Sequence, residues 1–319
     1  MSALIFFMRM FPLGLIVLAG TLAPAFAPQN SETANKSAVQ VQMQNVMYHY
    51  SEPTAVHIVR LQGELVPTKK DGFPIFDDRM SFVLSIRAAE ISIKVSDLAN
   101  VLNQYVLPGS DAPLKQLSLS IENKLLKIKG RLHSKGDIPF EMDGTISATP
   151  QGEIRIHAEK IKAAHLPVKG LMDLFDISIA KVIQANQVKG IRAEQNDLFL
   201  DPAQILPPPK IQGKITAVEL RGNEIVQIFG DAASTSSKRT GNYMAYRGNQ
   251  LRFNKLTMND TDMVIIDMDP RDPFDFFLDR YIQQLAAGYS KTTLDYGLRV
   301  YMRDYNKLRH SANRAPAAK

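Results

Sequence analysis

Apolar and polar residues alternate along the middle of the chain, between residues 117 and 163. Side chains of a strand point alternately to opposite faces of its sheet, so this pattern predicts strands with one apolar and one solvated face. The alternating sets are Leu117, Leu119 and Ile121, then Leu126, Ile128, Gly130 and Leu132, then Ile138, Phe140, Met142, Gly144 and Ile146, then Ile154, Ile156 and Ala158. An antiparallel sheet of this kind must cover its apolar face.

Two tight turns predict how these strands pair. Residues 134–136 and 150–152 each suit a three-residue loop that ends in a left-handed glycine. Loops of this length place Leu132 opposite Ile138 and Ile146 opposite Ile156 on the apolar face. On the solvated face they place Lys129 opposite Glu141 and Lys127 opposite Asp143. A four-residue loop would put apolar residues opposite charged ones, so we expect the three-residue register.

Helical spacing of apolar residues predicts three covering helices. The first begins with Ser96 as its N-cap and stops at Pro108-Gly109, the second spans residues 167–188 and stops at Lys189-Gly190, and the third opens at residues 272–275 and ends at Gly288. Further strands are predicted at 41–66, at 82–95 with a bulge or turn near 88–90, and at 198–200, 211–220, 225–229, 250–258 and 263–268. Residues 298–308 suit either a basic amphipathic helix or a strand.

The N-terminus predicts a cleaved signal peptide over residues 1–27. Arg9 precedes a short apolar run, and Ala25-Phe26-Ala27 forms a small-residue cleavage site. We therefore expect an exported, periplasmic protein that is soluble after cleavage. The mature part divides into a flexible segment at 28–40, an α+β domain at 41–230, and strands, a helix and a basic tail at 231–319. The chain has no cysteine, which excludes thiol catalysis and zinc sites built on cysteine.

The formal charge of +6 is concentrated at the C-terminal end. Residues 299–319 hold six basic residues against Asp304 alone, and Arg9 lies in the predicted signal, so residues 28–298 are neutral. A nucleic-acid-binding domain carries its basic residues on the folded body, so nucleic acid is not an expected partner. The basic segment instead suits an anionic membrane surface or an acidic partner. Its candidate contact residues are Arg299, Arg303, Lys307 and Arg309.

The search for catalytic motifs finds one enzyme-like string, Asp267-Met268-Asp269 after an apolar strand. Two carboxylates at a strand tip occur in Mg²⁺-dependent phosphotransferases, but no doubly wound pattern surrounds these residues. They more simply end a strand and cap a helix. The six histidines have no metal-ligand spacing, and no nucleophile elbow, P-loop or dinucleotide motif occurs. We predict no catalytic residue, no metal and no cofactor.

Three segments carry a resemblance to a known family: ISIKVSDLANVLNQYVL at 91–107, LLKIKGRLHSKGDIPFEMDG at 125–144 and KIKAAHLPVKGLMDLF at 160–175, continued by LFLDPAQILPPPKIQGKI at 198–215. Their order resembles bacterial cell-envelope phospholipid-binding proteins in or near the tubular lipid-binding superfamily, to which bactericidal/permeability-increasing protein belongs. The resemblance implies a long curved antiparallel sheet wrapped around two or three amphipathic helices, with an apolar groove for acyl chains. It implies as groove residues Leu98, Leu102, Tyr105, Phe140, Met142, Ile156, Leu171, Phe175, Ile179 and Val182.

Three functions are open at this point. The first is a periplasmic carrier of phospholipid or a related envelope lipid, without catalysis. The second is a structural or adaptor protein of the envelope with a filled core and a basic tail that binds a partner or a membrane. The third is an Asp-dependent metal hydrolase that uses Asp267 and Asp269.

Overall fold

The computed structural model describes residues 38–112, 114–133, 137–163, 189–231 and 239–312. The protein is mostly β-sheet with a few short helices, and its predominantly antiparallel sheets do not close. All the described residues belong to one compact unit. The apolar faces of the two large sheets contribute to a single hydrophobic core.

The larger sheet has eleven strands, and its central strand β1 pairs with β2, β13 and β17. The order across the sheet is β11-β12-β3-β2-β1-β13-β16-β19-β18, with β10 beside β3 and β17 beside β1. Its strands are β1 (Val39–Ser51), β2 (Thr54–Pro67), β3 (Phe82–Lys94), β10 (Lys210–Gln212), β11 (Ile215–Arg221), β12 (Glu224–Phe229), β13 (Tyr243–Gly248), β16 (Thr261–Asp267), β17 (Phe274–Phe277), β18 (Tyr289–Thr292) and β19 (Leu298–Met302).

The second sheet has six strands in the order β4-β5-β6-β7-β9-β8. It contains the alternating segment between residues 117 and 163, and β6 packs beside β11 of the larger sheet. Its strands are β4 (Leu114–Glu122), β5 (Leu125–His133), β6 (Asp137–Ala148), β7 (Ile154–Ala163), β8 (Ile191–Glu194) and β9 (Asp197–Leu200); a separate hairpin consists of β14 (Leu251–Phe253) and β15 (Leu256–Met258).

The predicted hairpin registers are confirmed. Leu132 pairs with Ile138, and Ile146 pairs with Ile156. The second turn ends in Gly152, whose φ of +91° is the left-handed conformation that the three-residue loop requires. The predicted cross-strand charges also meet, with 3.5 Å between Lys129 and Glu141. Turn chemistry and the apolar face therefore specify this sheet locally.

The predicted change of phase in the third strand is a bulge. Gln62 pairs with Ala88 and Gly63 pairs with Ile86, so Arg87 is the extra residue of β3. A Cβ atom on Gly63 would lie 2.3 Å from the carbonyl oxygen of Ser85, so only glycine allows the two strands this close approach.

The first helix differs in detail from the prediction. Helix α1 (Val95–Val101) continues directly from β3, and its N-cap position is Lys94 without a side-chain cap, so Ser96 is not the N-cap. A π-helical turn follows at Leu102–Val106. Its i→i+5 hydrogen bonding changes the angular positions of the side chains relative to an α-helix. Tyr105, predicted to lie on the apolar stripe, is accordingly 45% exposed.

The prediction of a third helix from residue 272 is wrong in its first half. Phe274–Phe277 is strand β17, parallel to β1, and all four of its residues are buried. A short apolar run fits a buried strand and a buried helix equally well, and pairing with β1 decides between them here. Only the second half is helical, as a 3₁₀ turn (Leu278–Arg280) and helix α3 (Tyr281–Ala286).

The remaining helices are α2 (Pro202–Ile205) and α4 (Tyr305–Ala312). The ambiguous segment 298–308 is thus strand β19 followed by the start of α4. None of the helices in the described part of the chain is long and apolar enough to cross a membrane. The predicted second helix at 167–188, with Leu171, Phe175, Ile179 and Val182, lies outside the described residues.

Candidate functional site

Three neighbouring apolar cavities lie on the inner face of the larger sheet and between the two sheets. We call them together the apolar seam. Cavity 1 is lined on the β1 side by Met43 and Tyr48, and on the β13 side by Tyr246. Cavity 2 is lined by strands β2, β3 and β12 together with Leu98 and helix α2. Cavity 3 is lined by strands β4 to β9 and by Leu102.

The cavities adjoin one another through shared lining residues. Cavities 1 and 2 share Tyr50, Ile58 and Leu84, and cavities 2 and 3 share Leu200. Alternation places these side chains on one face of their strands, so the seam is the continuous apolar face of the larger sheet facing that of the smaller one. A row of apolar side chains of this extent can hold only an apolar occupant or the protein's own side chains.

The unfilled space in the seam is small. The cavity volumes are about 50 Å³, 50 Å³ and 30 Å³ in cavities 1, 2 and 3. Since one water molecule has a share of about 30 Å³ in the liquid, each cavity holds only one or two groups of that size. An acyl chain would therefore enter only if the two sheets or their side chains moved apart.

Three tyrosines, Tyr48, Tyr50 and Tyr246, are among the residues that line cavity 1. Burial raises the pKa of Tyr50 to about 12 and raises that of Tyr48 further, although the Arg79 guanidinium opposes both shifts. Both phenols are therefore neutral hydrogen-bond donors at physiological pH. Arg79 itself forms an ion pair with Asp279 beside this end of the seam.

The structure brings most of the described groove candidates to the seam. Leu98 lines cavity 2, and Leu102, Phe140, Met142 and Ile156 line cavity 3. Tyr105 is not among the residues that line the seam, because the π-turn directs it to the surface. The sequence analysis did not include Tyr48, Tyr50, Ile58 and Leu200 among the groove residues, although they line cavities of the seam. Their alternation predicts strands, but a strand's own sequence does not identify the surface against which its side chains pack.

Two of the four candidate basic residues of the C-terminal segment, Arg299 and Lys307, form ion pairs with carboxylates. The Nη2 atom of Arg299 lies 3.0 Å from Asp262, and the Nζ atom of Lys307 lies 2.6 Å from Asp304 and 2.7 Å from Asp269. Arg303 is exposed, whereas the side chain of Arg309 lies outside the described residues. This segment forms strand β19 and helix α4.

Asp267 and Asp269 lie at the C-terminal end of strand β16, where other residues of the protein already bind their carboxylates. Asp267 is buried, and it accepts hydrogen bonds from the side chain of Asn242 at 2.8 Å and from the backbone of Asp269 at 2.7 Å. Asp269 forms ion pairs with Arg271 and Lys307, whose hydrogen bonds hold its pKa well below the usual range. Across the described ranges, no three carboxylates or imidazoles are grouped as metal ligands.

Comparison with protein-family models, with curated proteins and with solved structures finds no match to this chain. The resemblance to the tubular lipid-binding superfamily therefore stays a prediction.

Proposed function

We propose that this protein is an exported, periplasmic lipid-binding or carrier protein that holds acyl chains of a phospholipid or a related envelope lipid, without catalysis. The observation that carries the proposal is the continuity of the apolar seam across both sheets. In this proposal the seam opens into the apolar groove that the resemblance implies, with the larger sheet curved around it.

Lipid binding requires that the seam opens, and burial of the acyl chain supplies free energy for this opening. Each methylene buried in the seam contributes about 0.8 kcal/mol, so a chain of about fifteen methylenes gains on the order of 10 kcal/mol. For lipid taken up from water, this gain is available to offset the cost of separating packed side chains. The Tyr48 and Tyr50 hydroxyls, being neutral donors in an apolar cavity, would orient the polar end of the lipid.

Native mass spectrometry of protein purified from a bacterial host tests the proposal. We expect adducts with lipid masses on the folded protein, and the same lipids in a solvent extract. Protein denatured and refolded without lipid is the control and should lack the adducts. Repeated absence of lipid from the untreated protein would overturn the proposal.

The small cavity volumes favour a second candidate, an envelope structural or adaptor protein whose seam is filled by its own side chains. This candidate predicts no adduct in the same experiment and a partner bound through the basic C-terminal segment.

A carrier must also reach a bilayer, and among the described residues the tip of the β18–β19 hairpin has the most exposed large apolar side chains. Leu294 and Tyr296 at its tip are 104% and 94% exposed. Tyr289 and Tyr301 stack at 4.5 Å on the same hairpin, with the Lys291 ammonium 5.3 Å from the Tyr289 ring centre. Leucine, tyrosine and lysine together suit the interface of an anionic membrane.

Replacing both tip residues by asparagine (Leu294→Asn, Tyr296→Asn) should therefore lower binding to phosphatidylglycerol-containing vesicles by about tenfold, the equivalent of partly burying two apolar side chains. Asparagine tolerates the left-handed backbone of Tyr296, whose φ is +63°. Co-sedimentation measures the effect, and Leu256→Asn, at another exposed leucine, is the matched control. Equal binding by the double variant and the control would exclude the hairpin as the contact.

A further inference from the structure

One polar side chain lies among the apolar residues of cavity 2. Gln227 is 9% exposed and lines this cavity together with Ile225 and Phe229 of the same strand, β12, whereas the intervening Val226 and Ile228 do not. Alternate side chains of a strand point to the same face of its sheet. The Gln227 side chain therefore faces the seam, on the same side as its two apolar neighbours.

The residues around Gln227 offer its amide no hydrogen-bond partner. Its cross-strand neighbours are Ile91 on β3 and Val218 on β11, both apolar. Within the described ranges, the side-chain amide of Gln227 forms no hydrogen bond. Nearly all buried polar groups of folded proteins are paired, so an unpaired amide that faces a cavity indicates a partner in the occupant of that cavity.

Charge and size limit what can lie beside Gln227. Tyr50 is the other polar side chain of cavity 2, whose lining includes no charged residue among those that the structure describes. A phosphate or carboxylate buried here would lack a counter-charge and would be strongly disfavoured. The cavity volume of about 50 Å³ holds one or two water-sized groups. A partner for the amide must therefore be small and uncharged.

We propose that Gln227 donates a hydrogen bond to an ester carbonyl of the bound lipid, so that the seam selects acyl esters. This inference rests on the proposed function, because it requires acyl chains in the seam. The amide nitrogen carries two donor hydrogens, and an ester carbonyl is a small, uncharged acceptor joined directly to an acyl chain.

The distribution of polar residues along the seam agrees with this position of the ester. Tyr50 lines both cavity 2 and cavity 1, where Tyr48 is a second phenol, and cavity 3 is lined by apolar residues alone among those described. With its ester beside Gln227, the lipid directs its polar end towards the tyrosines and its acyl chains towards cavity 3.

Competition between two lipids that differ only at this linkage tests the inference. The purified protein is incubated with vesicles that contain dimyristoyl phosphatidylglycerol and its ditetradecyl diether counterpart in equal amounts, and native mass spectrometry counts the two complexes. The diether lacks the carbonyl oxygens but keeps the head group and the chain length. We expect the unaltered protein to hold about five- to tenfold more diester than diether, the equivalent of one hydrogen bond.

Replacing Gln227 by leucine locates the selection. Leucine has a similar volume and no polar atom, so Gln227→Leu should keep the total amount of bound lipid and bring the two lipids to about equal amounts. Gln212→Leu makes the same change at an exposed position of β10, outside the lining of the three cavities, and should retain the preference for the diester.

Two results would overturn the inference but leave lipid binding intact. One is equal amounts of diester and diether on the unaltered protein, and the other is a preference for the diester that Gln227→Leu retains. Absence of both lipids from the unaltered protein would overturn the proposed function and this inference together.

Discussion

Replacing Gln284 by leucine is expected to lower the free energy of unfolding by about 3–5 kcal/mol, because one side chain satisfies three backbone groups. Gln284 is fully buried in helix α3. Its Oε1 atom accepts from the backbone of Phe277 at 2.9 Å, and its amide donates to the carbonyl oxygens of Asp275 at 2.9 Å and Arg303 at 2.8 Å. Leucine has similar volume and no polar atom, so all three groups would stay buried without a partner.

Urea denaturation monitored by circular dichroism measures this loss. The adjacent Gln283→Leu is the matched control: Gln283 is exposed in the same helix, so its replacement should change stability by less than about 0.5 kcal/mol. A loss below about 1 kcal/mol in Gln284→Leu would mean that water reaches the three groups, and that this side chain does not hold β17, α3 and the chain after β19 together.

Replacing Ile58 by phenylalanine is expected to reduce co-purified lipid several fold while leaving the protein folded. Ile58 lines both cavity 1 and cavity 2, so the larger ring would occupy the space that joins them. Overpacking costs about 1–3 kcal/mol, and the same cost in lipid binding corresponds to a loss of affinity of about fivefold or more. Filling existing cavities limits the loss in stability of the lipid-free protein.

Lipid extracted per mole of protein, compared with thermal unfolding of the same samples, measures both effects. Ile282→Phe makes the identical change at an exposed position of helix α3 and should leave the lipid content unaltered. Equal lipid in the two variants would show that acyl chains do not occupy the seam. A stabilised Ile58→Phe in a protein that carries no lipid would support the filled-core candidate.

Local patterns were enough to predict the smaller sheet. In the β5–β6 and β6–β7 hairpins, partners lie a few residues apart, and the turn and the apolar face together allow one register. For the same reason Phe140, Met142 and Ile156 were assigned to one apolar surface, and cavity 3 brings them together with Leu102.

The local patterns could not predict which strands pair when they are far apart in the sequence. Phe274–Phe277 has the spacing of a helix, yet it is a strand because its backbone pairs with β1, which lies far away in the sequence. The basic residues of the C-terminal segment suited a membrane or partner surface, but Arg299 lies in strand β19 next to β16, where Asp262 matches its charge. The positions of these partners depend on the whole sheet.

The sequence by itself determined which faces of the strands are apolar, how neighbouring strands pair across tight turns, and that no familiar catalytic motif is present. Each of these follows from period-two alternation or from residue chemistry within one short segment. Only the tertiary structure decided that the apolar faces of two sheets meet in one seam, that its cavities are nearly filled, and that Gln227 faces one of them among apolar side chains. The reason is that burial and cavity volume are properties of packed pairs of surfaces, and no single strand contains the surface it will face.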